Sequence, residues 1–264
     1  MVAIVTGAYG VFGVHITEGL LAAGIATICV GRDQAKAEEL VAKMRLRFPG
    51  TECNSYVCDL SDHDEIKKFA EWMGDTPVEI LINNAAVTPK SRTETKHGLE
   101  QQWACNVLGY HWMMKEFERN LLLSGKKPAR VVNVASFYAG GLDLTDVEFK
   151  SRTYDPDQAY RASKQANRML TNAWAEIWDV DKILVMSCHP GVATSNVSLG
   201  LGFDLDRSEE AARNGATTPL YLALDASVTG NHGNYFRDSQ PQQCSFAVND
   251  EEVRRLFEIV ESYS

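Results

Sequence analysis

Apolar residues along this chain fall into two alternating kinds of run. Short, unbroken runs lie at 2–7 ("VAIVTG"), 26–31 ("ATICVG"), 53–58 ("CNSYVC"), 79–84 ("EILINN"), 130–136 ("RVVNVAS"), 183–191 ("ILVMSCHPG") and 233–236 ("GNYF"). Longer stretches between them have helical character, near 11–23, 33–47, 62–73, 97–123, 158–178 and 208–225. Several of the short runs are continuous, with no polar residue at alternate positions. This is the pattern of strands whose two faces are both covered, as in a parallel sheet. Strands alternating with helices imply right-handed crossovers and a Rossmann-type, doubly wound parallel sheet with helices on both faces. No repeat, low-complexity tract or linker interrupts residues 1–264, so one α/β domain is expected.

Composition adds limits. The 264 residues are 45% hydrophobic and 23% charged, ample for a single buried core. A net charge of −9 argues against a broad nucleic-acid-binding surface. No apolar segment reaches spanning length, and a core strand begins at once, so neither a transmembrane segment nor a targeting peptide is expected. Cys29, Cys53, Cys58, Cys105, Cys188 and Cys244 are scattered without a C-x-x-C pair. They read as buried small hydrophobes of a reduced, cytoplasmic protein. The histidines show no H-E-x-x-H or comparable spacing, so no metal site is expected.

The candidate chemistry begins at the end of the first strand. "TGAYGVFG" (6–13) places Gly7, Gly10 and Gly13 in the strand-to-helix turn, where small residues let backbone approach a pyrophosphate and a helix start offers it free N–H groups. Tyr9, Val11 and Phe12 belong to the same turn and are expected to border the dinucleotide. "CDLSD" (58–62) offers Asp59 to the adenine amine, with Leu60 beside it; Asp59 is otherwise one of several candidates, with Ser61 and Asp62, to start the next helix. In "NNAA" (83–86), Asn84, Ala85 and Ala86 form a small-residue strand end that a cofactor can approach closely. The second strand ends "VGRD": Gly31 stands where an NAD-binding acid is expected, and Arg32 follows. The pattern favours NADP(H) over NAD(H). Asp33 keeps the NAD(H) alternative, or else caps the following helix. Finally, Tyr160 and Lys164 in "YRASK" share one helical face at i and i+4.

In order along the chain, "TGAYGVFG", "NNAA", "NVLG" (106–109), "VVNVAS" (131–136), "YRASK" and "HPGVATS" (189–195) resemble the short-chain dehydrogenase/reductase family over nearly the whole sequence. "GLDLTDVEFKSRTYDPDQAYRASKQANRML" is similar to the retinol-dehydrogenase-like branch, which includes the WW-domain oxidoreductases. The resemblance implies a catalytic tetrad of Asn106, Ser136, Tyr160 and Lys164. Tyr160 exchanges a proton with a carbonyl or alcohol oxygen, Ser136 hydrogen-bonds that oxygen, and Lys164 holds the nicotinamide ribose. Asn106 positions a water linking the lysine to solvent. Bringing a phenol from about 10 toward 7 requires roughly 4 kcal/mol of anion stabilisation, expected from Lys164 and the positive nicotinamide ring. The resemblance also brings Pro190, Gly191, Val192, Thr194 and Ser195 to the cofactor; which of the last two hydroxyls meets it is open. His189 receives no catalytic role.

The implied activity is hydride transfer between NADP(H) and a small-molecule carbonyl or alcohol of apolar character. Residues 195–215, with Leu199, Leu201, Phe203 and Leu205, are expected either to cover that substrate or to dock as a surface helix. A catalytically silent dinucleotide sensor or scaffold is the alternative, with NAD-dependent sugar-nucleotide epimerisation behind it. The glycine spacing, with Val11 where the family usually has glycine, is the feature that keeps epimerisation in view. The long helices near 97–123 and 158–178 suit a homo-oligomer or coverage within one subunit.

Overall fold

A computed structural model describes residues 1–125 and 127–264. Its strands are β1 (Val2–Thr6), β2 (Ala26–Gly31), β3 (Cys53–Val57), β4 (Ile80–Asn83), β5 (Ala129–Val134), β6 (Ile183–Cys188), β7 (Tyr235–Arg237) and β8 (Gln240–Gln242). They form one sheet in the order β3-β2-β1-β4-β5-β6-β7-β8, parallel throughout except for β8. The unbroken apolar runs are the central strands: every residue of β4 and β6 is buried. One α/β domain results, and its strand order reverses between β1 and β4. In such sheets ligands bind in the crevice at the carboxyl ends of the strands on either side of that reversal.

Helices cover both faces. On one, α1 (Val11–Ala22), α2 (Gln34–Arg47) and α9 (Thr217–Leu224) bury Ile16, Leu20, Met44 and Leu222 against Val5, Ile82 and Met186. On the other, α3 (His63–Met73), α4 (Gly109–Glu116), α6 (Pro156–Ile177) and α10 (Asp250–Glu261) bury Phe69, Met113, Met169 and Leu256 against Ile4, Leu81 and Val131.

The single helix expected over 97–123 is not one helix. Residues 94 and 100 form an isolated antiparallel bridge. The helix starts only after Glu100, whose carboxylate accepts from the N–H groups of Gln102 (2.9 Å) and Trp103 (2.6 Å). A π-helical turn then runs over Trp103–Leu108 before α4 and the short α5 (Glu118–Leu122). The helix expected over 208–225 is also divided, into α8 (Glu209–Asn214) and α9. Pro219 has no N–H to give and fits only a first helical turn, so a new helix must begin just before it. A helix within 195–215 is one of the two alternatives for that segment, and α7 (Asn196–Gly200) lies there; β8 and α10 were not expected.

The omission of α10 matters most. Its signals were present: Asn249 accepts from the N–H groups of Glu251 and Glu252, three acids fill the first turn, and Val253, Leu256 and Val260 recur on one face. Packed on α6, it sets Phe257 against Trp174 (ring centroids 5.5 Å apart) and Glu261 2.8 Å from both His111 and Lys115. The face of α4 and α6 left open to subunit pairing is therefore covered within the chain.

Candidate active site

The glycine turn carries clear steric marks of a phosphate cradle. Gly7 has φ +63°, and a Cβ there would lie 2.8 Å from Ala85 Cα. A Cβ on Gly13 would lie 2.2 Å from the Gly7 carbonyl oxygen. Both positions therefore reject any side chain. Helix α1 begins with Gly10 as N-cap, no capping side chain and no acid in its first turn. Its leading N–H groups have no intrahelical acceptor and meet no competing carboxylate, which fits the pyrophosphate of a dinucleotide.

The crevice floor is tied by hydrogen bonds. Asn84 donates through Nδ2 to the carbonyls of Thr6 (2.9 Å) and Gly7 (3.2 Å), while the N–H groups of Asn84 and Ala85 donate to Thr6 Oγ1. Ala86 follows in the same half-buried loop. At the end of β2, Arg32 is exposed, and no hydrogen bond or ion pair holds its guanidinium among the described residues. Asp33 caps α2, accepting from Lys36 N–H at 3.1 Å, and Lys36 Nζ lies 3.1 Å from its other oxygen. Lys36 holds this carboxyl below the usual aspartate range. Asp59 accepts from the N–H (2.9 Å) and Oγ (2.8 Å) of Ser61, and Leu60 is buried. Asp62 caps α3. With Asp64 and His97 it forms a group whose ligand atoms lie within 4.8 Å, but Asp62 already pairs with Lys96 and His97.

At the other end of the crevice, Asn106 sits in the π-helical turn, fully buried. Its side chain pairs with Val87 in both directions, Oδ1 accepting from N–H at 2.9 Å and Nδ2 donating to the carbonyl at 3.0 Å. A turn with one extra residue per cycle aims the amide at this loop, as such turns often do at functional sites. Ser136 lies just past β5, 5% exposed. Helix α6 starts with Asp155 accepting from the N–H groups of Asp157 and Gln158, and Pro156 takes the first position. One face of that helix carries Tyr160 and Lys164.

Their electrostatics depart from expectation. Burial pushes the Tyr160 phenol up to about 12, away from neutrality, opposed only by the nearby Ser136 hydroxyl. Lys164 is buried and pushed down to about 8 by desolvation. Its Nζ donates to the Val134 carbonyl at 2.9 Å and lies 5.8 Å from the Tyr160 ring centroid. The protein alone therefore does not make the phenol acidic. The ammonium gives one of its three hydrogen bonds to a backbone carbonyl, and the cost of desolvating a phenolate dominates.

Past β6, Pro190 is buried and Gly191 has φ +130°. Val192 is 49% exposed. Thr194 Oγ1 donates to Asp204 (3.2 Å) and accepts from Leu205 N–H (2.7 Å). Ser195 caps α7 reciprocally with Ser198. Both hydroxyls thus have local partners. His189 is buried, and desolvation lowers it to about 4, leaving it neutral. The sequence reading missed the aromatic rim: Phe137 stands edge-on to His189 at 4.6 Å, and Tyr138 edge-on to Phe203 at 6.0 Å. Adjacency of Phe137 and Tyr138 to Ser136 was the available signal. Phe137, Leu199, Phe203 and Leu205 remain 40–45% exposed, so residues 195–215 do not dock their apolar side chains into the core.

A crevice at the strand-order reversal, a glycine turn that rejects side chains and a Tyr/Lys/Ser cluster fit a dinucleotide-dependent oxidoreductase fold. The family model for short chain dehydrogenases matches residues 1–200, and the chain belongs to that family. Among curated relatives it is similar to mouse polyprenol dehydrogenase (27% identical, 96% of this chain and 80% of that protein). Mouse retinol dehydrogenase 14 (29%, 98% and 84%) and human retinol dehydrogenase 12 (30%, 98% and 84%) are also similar. These place it in the retinol-dehydrogenase-like branch. Of solved structures, an uncharacterised protein from Mycobacterium paratuberculosis matches with TM-score 0.79 at 24% identity, over 99% of this chain and 92% of that one. The Pseudomonas aeruginosa RhlG/NADP complex matches with TM-score 0.70 at 21% identity, over 94% and 96%. The family takes a nicotinamide dinucleotide and a small-molecule substrate. No helix among the described residues is long and apolar enough to cross a membrane.

Proposed function

We propose that the protein is an NADP(H)-dependent alcohol dehydrogenase or carbonyl reductase for apolar substrates, with Tyr160 as general acid/base. The observation that carries this reading is that Tyr160 and buried Lys164 share one face of α6, with Lys164 Nζ 5.8 Å from the Tyr160 ring centroid and buried Ser136 just past the end of β5. A nicotinamide held in the crevice would supply or accept the hydride. Ser136 hydrogen-bonds the substrate oxygen, and Tyr160 gives that oxygen a proton in reduction or takes one in oxidation. Lys164, at about 8, is mostly protonated at neutral pH and stands ready for ribose hydroxyls. Asn106 keeps the π-helical turn and the Val87 loop in place. Gly7, Gly10, Val11, Phe12, Gly13, Asn84, Ala85, Ala86, Asp59 and Leu60 border the dinucleotide, with Pro190, Gly191, Val192, Thr194 and Ser195 at its nicotinamide end. Arg32, exposed and without a side-chain partner among the described residues, supports recognition of the 2′-phosphate.

The apolar side chains left exposed around the crevice support a lipophilic substrate. Names of the relatives, polyprenol and retinol dehydrogenases, point the same way. Helix α7, tied through Thr88 Oγ1 to the Val197 carbonyl at 3.1 Å, would form the cover of that pocket. The test is oxidation of NADPH and NADH with a panel of long-chain and cyclic aldehydes and ketones, for the wild type and Tyr160→Phe. Turnover with NADPH that collapses in the variant is expected. Absence of any turnover, or an unimpaired variant, removes the reading.

A further inference from the structure

We infer that Tyr9, seated against Gly31, is a specificity-determining residue: it fills the place from which an acid at position 31 would reach the adenosine ribose. The inference rests on the NADP(H) reading and assigns part of that preference to a steric device in the glycine turn. A Cβ on Gly31 would lie 2.3 Å from Tyr9 Cε1, 2.7 Å from Cζ and 2.8 Å from Oη. The ring is not free to yield without loss, because Tyr9 Oη accepts a hydrogen bond from Asp33 N–H at 2.9 Å. That bond joins the glycine turn of β1 to the start of α2, across the position in question. A carboxylate at 31 can therefore enter only by displacing the ring and breaking the bond.

The same contact governs the neighbouring charges. Asp33 N–H is occupied by Tyr9, and the Asp33 carboxylate by Lys36 and its own helix start. Arg32 is left as the exposed charge at the end of β2. Position 31 and Tyr9 are thus one coupled unit, and a change at 31 alone does not create an NAD(H) site.

The experiment measures Kd by calorimetry, which needs no turnover, for NADPH, NADH, adenosine 2′,5′-bisphosphate and ADP. The proteins are the wild type, Gly31→Asp, Tyr9→Ser and the double variant. Gly31→Asp alone is expected to lose about tenfold for the bisphosphate, from charge repulsion, with no gain for NADH. The double variant is expected to bind NADH about tenfold tighter than Gly31→Asp. Equal NADH affinity in Gly31→Asp and the double variant overturns the proposal. A wild type that binds NADH as tightly as NADPH removes the NADP(H) reading instead, because the coupling is read from the NADH series alone. Should the aspartate prevent folding, Gly31→Ala carries the same Cβ. Its fall in Tm is expected with Tyr9 present and not in the Tyr9→Ser background. Equal falls in the two backgrounds also overturn the inference.

Discussion

Lys164 and Tyr160 share a helical face, yet the lysine's hydrogen bond goes to Val134, the last residue of β5, at 2.9 Å. The ammonium thus fastens α6 to the carboxyl end of the central sheet, directly beneath the site. Two neighbours on one helix are governed by different surroundings, Tyr160 by burial and Lys164 by its bond to the strand. Desolvation raises the phenol to about 12 rather than lowering it. Any acidification must come from charge brought in with the dinucleotide.

Tyr160→Phe removes the proposed proton donor while keeping the ring. Turnover is expected to fall by about 10²–10⁴-fold, the usual worth of a positioned acid or base. Dinucleotide affinity, measured by fluorescence titration, should change little. A parallel loss of binding would show that the hydroxyl serves the fold instead.

Lys164 makes stability depend on alkaline pH. Its value is about 8 in the folded chain against an ordinary 10.5, so the unfolded chain holds the extra proton between those limits. Stability from this group is accordingly lowest below pH 8 and rises as pH approaches 10.5, by about 3 kcal/mol. Lys164→Met should be more stable than the wild type near pH 7, and urea titrations should show the gap closing toward pH 10. A constant gap would contradict a buried, desolvated ammonium.

His111 works in the acid range. Buried beside Glu261, it lies near 4 in the folded chain against 6.5, mainly through desolvation. The unfolded chain binds the proton first, so stability is full above 6.5 and falls as pH drops toward 4, by about 3 kcal/mol. His189 adds a similar dependence. His111→Leu should flatten the loss between pH 6.5 and 4.5 without abolishing it, as read from denaturation midpoints. An unchanged slope would mean that the imidazole is already charged where α10 docks.

The glycine turn offers a contrast within one motif. An alanine at 13 would press its Cβ to 2.2 Å from the Gly7 carbonyl, whereas at 10 the nearest atom is 3.1 Å away. Gly13→Ala should cost about 1–3 kcal/mol and sharply weaken NADPH binding, with Gly10→Ala milder in both. Thermal melts and calorimetry of the two proteins decide it; equal effects would refute the steric account.

Much of the fold was legible because strand and helix periods are local properties of a chain. The continuous apolar runs at 26–31 and 183–188 became central parallel strands with little adjustment. Tyr160 and Lys164 landed on one face because spacing alone requires it. The helix near 97–123 was misread where Glu100 and Asn106 act, since both bind backbone groups that no periodicity reveals. Helix α10 was overlooked despite clear capping and amphipathic signals.

By itself, the sequence determined the sheet class, the glycine turn, the family and which side chains share one face of α6. These follow from hydrophobic period, backbone sterics and residue spacing. Only the tertiary structure decided that Lys164 bonds to β5, that Tyr9 closes over Gly31 and that α10 covers α4 and α6. Hydrogen bonds, desolvation and close contacts depend on which distant segments meet, and that is settled only when the chain is packed.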